Sequence, residues 1–149
     1  LRSHALFRRG FLSRLDIYID GASRGNPGNA SIGVVICQGE HIVKNISRLI
    51  GTATNNVAEY SALICALEEA LILKAGQLKI YTDSELLYKQ IKGEYKVRHA
   101  NIKPLYEQVV NLFRGFNSAE VFHIKRENNR GADKLANQAF KEVKHKKVG

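Results

Sequence analysis

From residue 14 onward the spacing of apolar side chains changes period several times, and each change marks an element. Leu15, Ile17 and Ile19 alternate with Asp16, Tyr18 and Asp20, a period of two that predicts a strand ended by Asp20-Gly21. The next stretch, GASRGNPGNA, is rich in Gly, Pro and Asn and reads as a loop. SIGVVIC and HIVKNISRLI predict two more strands joined by a tight turn near Gln38–Glu40. TATNN opens a long helix, roughly Asn56 to Lys74, with Ala75-Gly76 as its stop. LKIYT predicts a short strand and SELLYKQI a short helix. PLYEQVVNLF predicts a further helix begun by Pro104, whose fixed φ suits a first turn. AEVFHIK predicts the last strand, and residues from about 129 to 143 the last helix. Three strands in succession, then helix–strand alternation, indicate an α/β chain whose mixed sheet carries helices. Asp20 and Asp83 are expected at the carboxyl ends of their strands, where open α/β sheets form ligand sites.

Composition narrows the partner. The 149 residues fit one domain, and 44% apolar with 25% charged residues is the balance of a globular protein. No apolar run approaches the roughly 20 residues of a spanning helix, so no membrane is expected. The net charge of +9 is unevenly placed. Arg2, Arg8, Arg9 and Arg14 stand without an acid at the start, and Lys89 to Lys103 holds five Lys or Arg against Glu94 alone. A third basic cluster runs from Lys125 to Lys147. Any single Lys reads as a solvated side chain, but three clusters together favour a polyanion, nucleic acid first. Cys37 and Cys65 sit in apolar runs and read as free thiols in a reducing, cytoplasmic setting. Residues 1–13 differ in composition and are assigned as a basic N-terminal extension, with residues 14–149 as the catalytic domain.

Against that basic background, four acids stand out: Asp20, Glu59, Asp83 and Asp133. Glu59 precedes Leu63, Ala66 and Ala70 on the stripe that should face the sheet, and Asp133 shares a stripe with Ala136, Phe140 and Val143. Acids on core-facing stripes need a partner, because a buried unpaired carboxylate is costly. Convergence would raise their pKa values unless cations bind, and a magnesium site resolves that conflict. Each also has a plainer explanation. Asp20 can make a turn with Gly21, Asp83 can cap the helix from Ser84, Asp133 can favour a helix N-terminus, and Glu59 can form a surface pair.

The segments YIDGASRGNPG, TNNVAEYSALICALEEAL, IYTDSELLYKQIKGEYKV and ENNRGADKLANQAF resemble type 1 ribonuclease H over roughly residues 14–143. The likeness is to short bacterial and archaeal forms that lack the basic protrusion after the third catalytic residue. It implies the ribonuclease H-like fold, a five-stranded mixed sheet flanked by helices. It also implies hydrolysis of the RNA strand of RNA–DNA hybrids with two Mg2+ ions, Mn2+ being an expected substitute, and 5′-phosphate and 3′-hydroxyl products. Asp20, Glu59, Asp83 and Asp133 map onto the family's metal-binding acids, Asp20 bridging both ions and Glu59 approaching the ribose 2′-hydroxyl.

The resemblance assigns Thr54 to a DNA-strand phosphate and Asn55 and Asn56 to the minor groove, with Asn55 also able to cap the helix. The arginine that often stands two residues before this threonine is Thr52 here. Gly21 and the Gly25–Gly28 turn containing Asn26 are expected to let backbone approach the RNA. Lys96 and Arg98, with Lys92 and Lys103, occupy the place of the missing protrusion. The product-release histidine of larger members has no counterpart after the last strand, His123 lying within the strand pattern. Arg126, Glu127 and Arg130 are the expected substitutes. A monomer is expected, with double-stranded RNA open as a second substrate. The alternatives are a domain of a retroelement polyprotein or fusion, and a non-catalytic nucleic-acid-binding module of the same fold.

Overall fold

The computed structural model describes residues 14–148, with side chains described to residue 142. The predicted extension over residues 1–13 lies outside the described residues. Three strands follow one another antiparallel: β1 (Arg14–Gly25), β2 (Gly28–Gln38) and β3 (His41–Ala53). Two more, β4 (Gln77–Thr82) and β5 (Ser118–His123), join on the far side of β1 in parallel. The sheet order is β3-β2-β1-β4-β5, which is the expected five-stranded mixed sheet.

The expected loop at residues 21–30 is instead a hairpin. β1 runs on to Gly25 and turns at Asn26-Pro27, and Gly21 to Gly25 pair with Ile32 back to Gly28. Local composition argued against strand because Gly and Asn lack β propensity. The ladder overrides it, helped by the Ser23 hydroxyl donating to the Ala53 carbonyl of β3 at 2.7 Å. Asp20 is therefore not at the end of its strand. It lies inside β1, and because Ile19 pairs with Thr82 it stands level with the point where β4 stops. At the other edge β5 ends at His123, two residues before the expected Lys125.

Helix α1 (Asn55–Ile72) starts where the Thr54 hydroxyl accepts the Val57 N–H at 3.2 Å. The cap is Thr54, and Asn55 already belongs to the first turn, correcting the expectation that Asn55 caps. The helix ends at Ile72, with Lys74 at φ +58° in the position a glycine usually takes and the Ala75 N–H bonding back to Ala70. Helices α2 (Glu85–Ile91) and α3 (Lys103–Phe113) follow. A single 3-10 turn (Arg126–Asn128) then leads into α4 (Arg130–Val148).

The period-two pattern of β1 divides the molecule into two layers. Ile17 and Ile19, with Ile32, Val34 and Ile36 of β2 and Ile80 of β4, meet Tyr60, Leu63, Ala66 and Leu67 of α1 in the main core. Truncating one such residue, Leu63→Ala, costs about 2–5 kcal/mol. The opposite face of β1–β3 carries α4, tied by Ser31 Oγ to the Ala136 carbonyl and Ser47 Oγ to the Leu135 carbonyl, both at 2.6 Å.

Two glycines set how closely those helices approach. A Cβ on Gly21 would lie 2.3 Å from the Ala58 carbonyl carbon of α1, and one on Gly33 would lie 2.0 Å from the Ala132 carbonyl oxygen of α4. Gly21 follows Asp20 in the chain, and Gly33 is the cross-strand partner of Asp20. Both helices therefore press closely on the sheet beside that one aspartate.

Candidate active site

The acids arrive on four elements: Asp20 on β1, Glu59 on α1, Asp83 just beyond β4 and Asp133 in the first turn of α4. One carboxylate oxygen from each of Asp20, Glu59 and Asp83 lies within 4.8 Å of the others, a separation a single cation can span. Asp133 lines the same cavity as Asp20 and Asp83, near enough for its charge to raise the Asp20 carboxyl. The plainer explanations fail for three of the four. Asp20 makes no turn. Glu59 is 4% exposed and pairs with no cation among the described residues. Asp83 does not cap α2, because Ser84 does, its hydroxyl accepting the Leu87 N–H at 3.2 Å. Asp133 does occupy a helix N-terminus, and the two explanations coexist there.

Burial is the largest cause pushing the Asp20 carboxyl up, to about 8, followed by the charges of Asp83 and Asp133, while Arg126 opposes the rise. Burial also lifts Glu59 well above the usual carboxylate range, reinforced by Asp20 and Asp83. The Gly21 N–H, donating to Glu59 Oε2 at 3.2 Å, counters this only in part. A compensating positive charge in the pocket would favour the ionised forms of Asp20 and Glu59. Hard oxygen donors in a desolvated acidic pocket are the ligand chemistry of a divalent cation such as Mg2+ or Mn2+, so the residues fit a metal.

Two cavities adjoin at the cluster. One of about 430 Å³ is lined by Asp20, Gly21, Arg24, Asp83, Arg126 and Asp133, among others. The second, about 550 Å³, is lined by Asn26, Thr54, Asn56, Lys96, Arg98 and His99, among others. Asn55 and Glu59 border both. Of the expected substrate residues, Gly21 lines the first cavity and the rest line the second, which meets the acids at Glu59. Asn26 also has a structural task, its Oδ1 accepting the Asn55 N–H at 3.1 Å and pinning the hairpin tip to α1. Gly21 has a nearer reason for lacking a side chain than approach to RNA, namely its close fit against Ala58. Lys103 lines a third cavity with Tyr95 and Tyr106, and Lys92 lies toward the Tyr88 ring, 5.9 Å from its centroid.

Of the three expected substitutes for the missing histidine, the structure brings only Arg126 to the acids, its Nη2 standing 3.6 Å from Asp133 Oδ1. Glu127 and Arg130 are exposed and line neither cavity. His123 ends β5 with its ring stacked on Tyr88 at 5.7 Å, in line with a structural part. Sequence reasoning missed Gly33, Asn129, Arg24 and His99. Asn129 is 1% exposed, and its Nδ2 donates to the Ile19 carbonyl at 2.8 Å. An asparagine in a polar run before a helix looks like a cap, and a glycine in the apolar run SIGVVIC looks like a weak strand position. Neither carried a usable signal.

Comparison with known proteins fits this geometry. A family model described as Reverse transcriptase-like matches residues 18–139. Ribonuclease HI of Halobacterium salinarum is 40% identical over 128 residues, covering 85% of this chain and 64% of that protein. The solved structure of RNase H1 from the same archaeon superposes with a TM-score of 0.84 at 39% identity, over 87% of this chain and 98% of that one. LC11-RNase H1, solved in complex with an RNA/DNA hybrid, gives 0.81 at 37% identity, with 87% and 98% covered. A bifunctional protein of Mycobacterium tuberculosis is 40% identical over 126 residues. The match covers 83% of this chain, which spans about a third (35%) of that longer relative.

Proposed function

This chain belongs to the type 1 ribonuclease H family, and on that footing we propose that it is an endonuclease hydrolysing the RNA strand of RNA–DNA hybrids. The observation that carries the reading is the trio of carboxylate oxygens within 4.8 Å of one another, desolvated beside a groove that offers Lys96 and Arg98. A cluster of acids repels phosphate unless cations intervene, so a module that only bound nucleic acid would gain nothing from it. Two divalent ions, Mg2+ with Mn2+ as substitute, would supply Lewis-acid activation of water and charge neutralisation at the leaving oxygen.

The chain's own part is to hold, orient and exclude. Asp20, Glu59, Asp83 and Asp133 would hold the cations, and the burial of Asp20 and Glu59 leaves those two carboxylates little exposed to solvent. Glu59 borders both cavities and would meet the ribose 2′-hydroxyl, the group that separates RNA from DNA. Thr54, Asn55 and Asn56 line the groove and would meet the hybrid there, and Lys96 and Arg98 would neutralise the DNA-strand backbone. Water oxygen attacks phosphorus as the P–O3′ bond breaks, giving a 5′-phosphate and a 3′-hydroxyl; the proton lost by water balances the one gained by the 3′ oxygen.

Residues 14–149 form the catalytic domain in this reading, acting as a monomer in the cytoplasm. Among the described residues no helix is long and apolar enough to cross a membrane. The decisive experiment sets labelled RNA–DNA, RNA–RNA and DNA–DNA duplexes against the protein with Mg2+, with Mn2+ and with EDTA, beside Asp83→Asn. Cleavage of the hybrid alone, abolished by EDTA and by the substitution, is expected. Cleavage that survives EDTA sinks the metal mechanism, and no cleavage of any duplex returns the chain to the non-catalytic reading.

A further inference from the structure

Asn129 is the buried polar residue beside the acids for which the proposed chemistry supplies no role. Its Nδ2 donates to the Ile19 carbonyl at 2.8 Å and, more weakly, to Asp83 Oδ2 at 3.4 Å. Its own carbonyl accepts the Asp133 N–H at 3.1 Å. Ile19 directly precedes Asp20. One residue thus ties the backbone beside Asp20, the carboxylate of Asp83 and the backbone of Asp133, three acids on three separate elements.

The far end of the same amide strengthens the point. Asn129 Oδ1 is enclosed and accepts no hydrogen bond among the described residues. A buried acceptor without a partner costs stability, and an apolar side chain of similar volume would avoid that cost. An amide whose donor end is shared by two acceptors and whose acceptor end is orphaned is suited to donating, not to filling space.

We propose that Asn129 is a positioning residue for the metal centre: its amide fixes the Asp83 carboxylate against the β1 backbone at Asp20, leaving the second Asp83 oxygen available as a ligand. Its effect on cleavage rests on the hybrid-nuclease reading, whereas its effect on cation binding does not. Partners of metal ligands typically change metal affinity about 10–100-fold when removed.

The test measures Mn2+ binding to metal-free protein by titration calorimetry, and the Mg2+ concentration giving half-maximal hybrid cleavage. Asn129→Ala removes the donor. Asn129→Asp keeps the shape but, ionised, turns an acceptor toward two acceptors. Val109→Ala, a fully buried truncation in α3 away from the acids, reports on lost stability alone. Both Asn129 variants should bind Mn2+ about tenfold or more weakly and need correspondingly more Mg2+, while Val109→Ala melts earlier with wild-type Mn2+ affinity. Wild-type affinity in either folded Asn129 variant, equal weakening in Val109→Ala, or no Mn2+ binding by the parent protein overturns the proposal. Should the parent bind Mn2+ and the Asn129 variants weaken it while no duplex is cut, the nuclease reading falls and the positioning role stands.

Discussion

The two adjoining cavities are built on opposite terms. The acidic one gathers like charges that repel one another, held by elements whose packing leaves them no escape. Asp20 and Glu59 are 6% and 4% exposed, wedged where Gly21 and Gly33 let α1 and α4 meet the sheet. The neighbouring groove places the long cationic side chains of Lys96 and Arg98 on a stretch without regular structure between α2 and α3. Rigid burial makes an unfavourable charge set tolerable and geometrically fixed, which chemistry on a phosphate requires. Solvated cations on long stems supply attraction that tolerates any base sequence. Damage should therefore appear in turnover on one side and in salt-sensitive affinity on the other.

The largest effect expected is from Asp20→Asn. Hybrid cleavage should fall in kcat by about 10²–10³-fold or more, the scale of losing a group that organises charge in the transition state. Metal-free Asp20→Asn should nonetheless melt higher than the parent near pH 8, because a buried charge has been removed. A variant that loses both activity and stability would show the cluster to be structural. Gly33→Ala comes next. Its Cβ would overlap the Ala132 carbonyl, so α4 must retreat, with a cost of about 1–3 kcal/mol or more in denaturant melts. Weaker Mn2+ binding should accompany it, since Asp133 retreats with α4.

The two cavities should also differ in their response to pH. The Asp20 carboxyl, at about 8 in the folded metal-free protein against an ordinary value of 3.8, binds its proton more tightly folded than unfolded. Its contribution to stability is complete below about pH 4 and is lost as pH rises to about 8. The melting temperature of the metal-free parent, minus that of Asp20→Asn, should fall across that window. Saturating Mg2+ should restore most at the alkaline end. A flat difference would mean that Asp20 ionises freely.

In the groove, Lys96→Ala with Arg98→Ala should raise KM several-fold and flatten the slope of log affinity against log salt by about one unit for each phosphate no longer neutralised. A loss confined to kcat would erase the distinction between the cavities. Smallest of all is Arg126→Ala, which should lower turnover at saturating hybrid a few-fold, while Glu127→Ala and Arg130→Ala leave it unchanged. Equal effects from all three would detach product release from the pairing of Arg126 with Asp133.

Much of this was legible along the chain. Alternation at Leu15, Ile17 and Ile19, the apolar stripe after Glu59 and the amphipathic run around Asp133 identify strand, helix and helix, because burial of one face imposes its period on the sequence. The acids show as exceptions to those periods. The hairpin at residues 21–28 was illegible, since its stability lies in cross-strand hydrogen bonds that no local propensity records. The helix cap at Thr54 rather than Asn55 was equally hidden, because any of several polar residues can fill it.

The linear pattern alone determined which faces of β1, α1 and α4 turn inward, which carboxylates stand out against those apolar periods, and that the chain around them is basic. Only the tertiary structure decided that those carboxylates meet, that Gly33 and Asn129 belong with them, and that Arg126 rather than Arg130 stands beside them. Periodicity reports one element against an unspecified core, whereas distances between elements are set by the register of β1 against β2 and β4 and by close packing through two glycines.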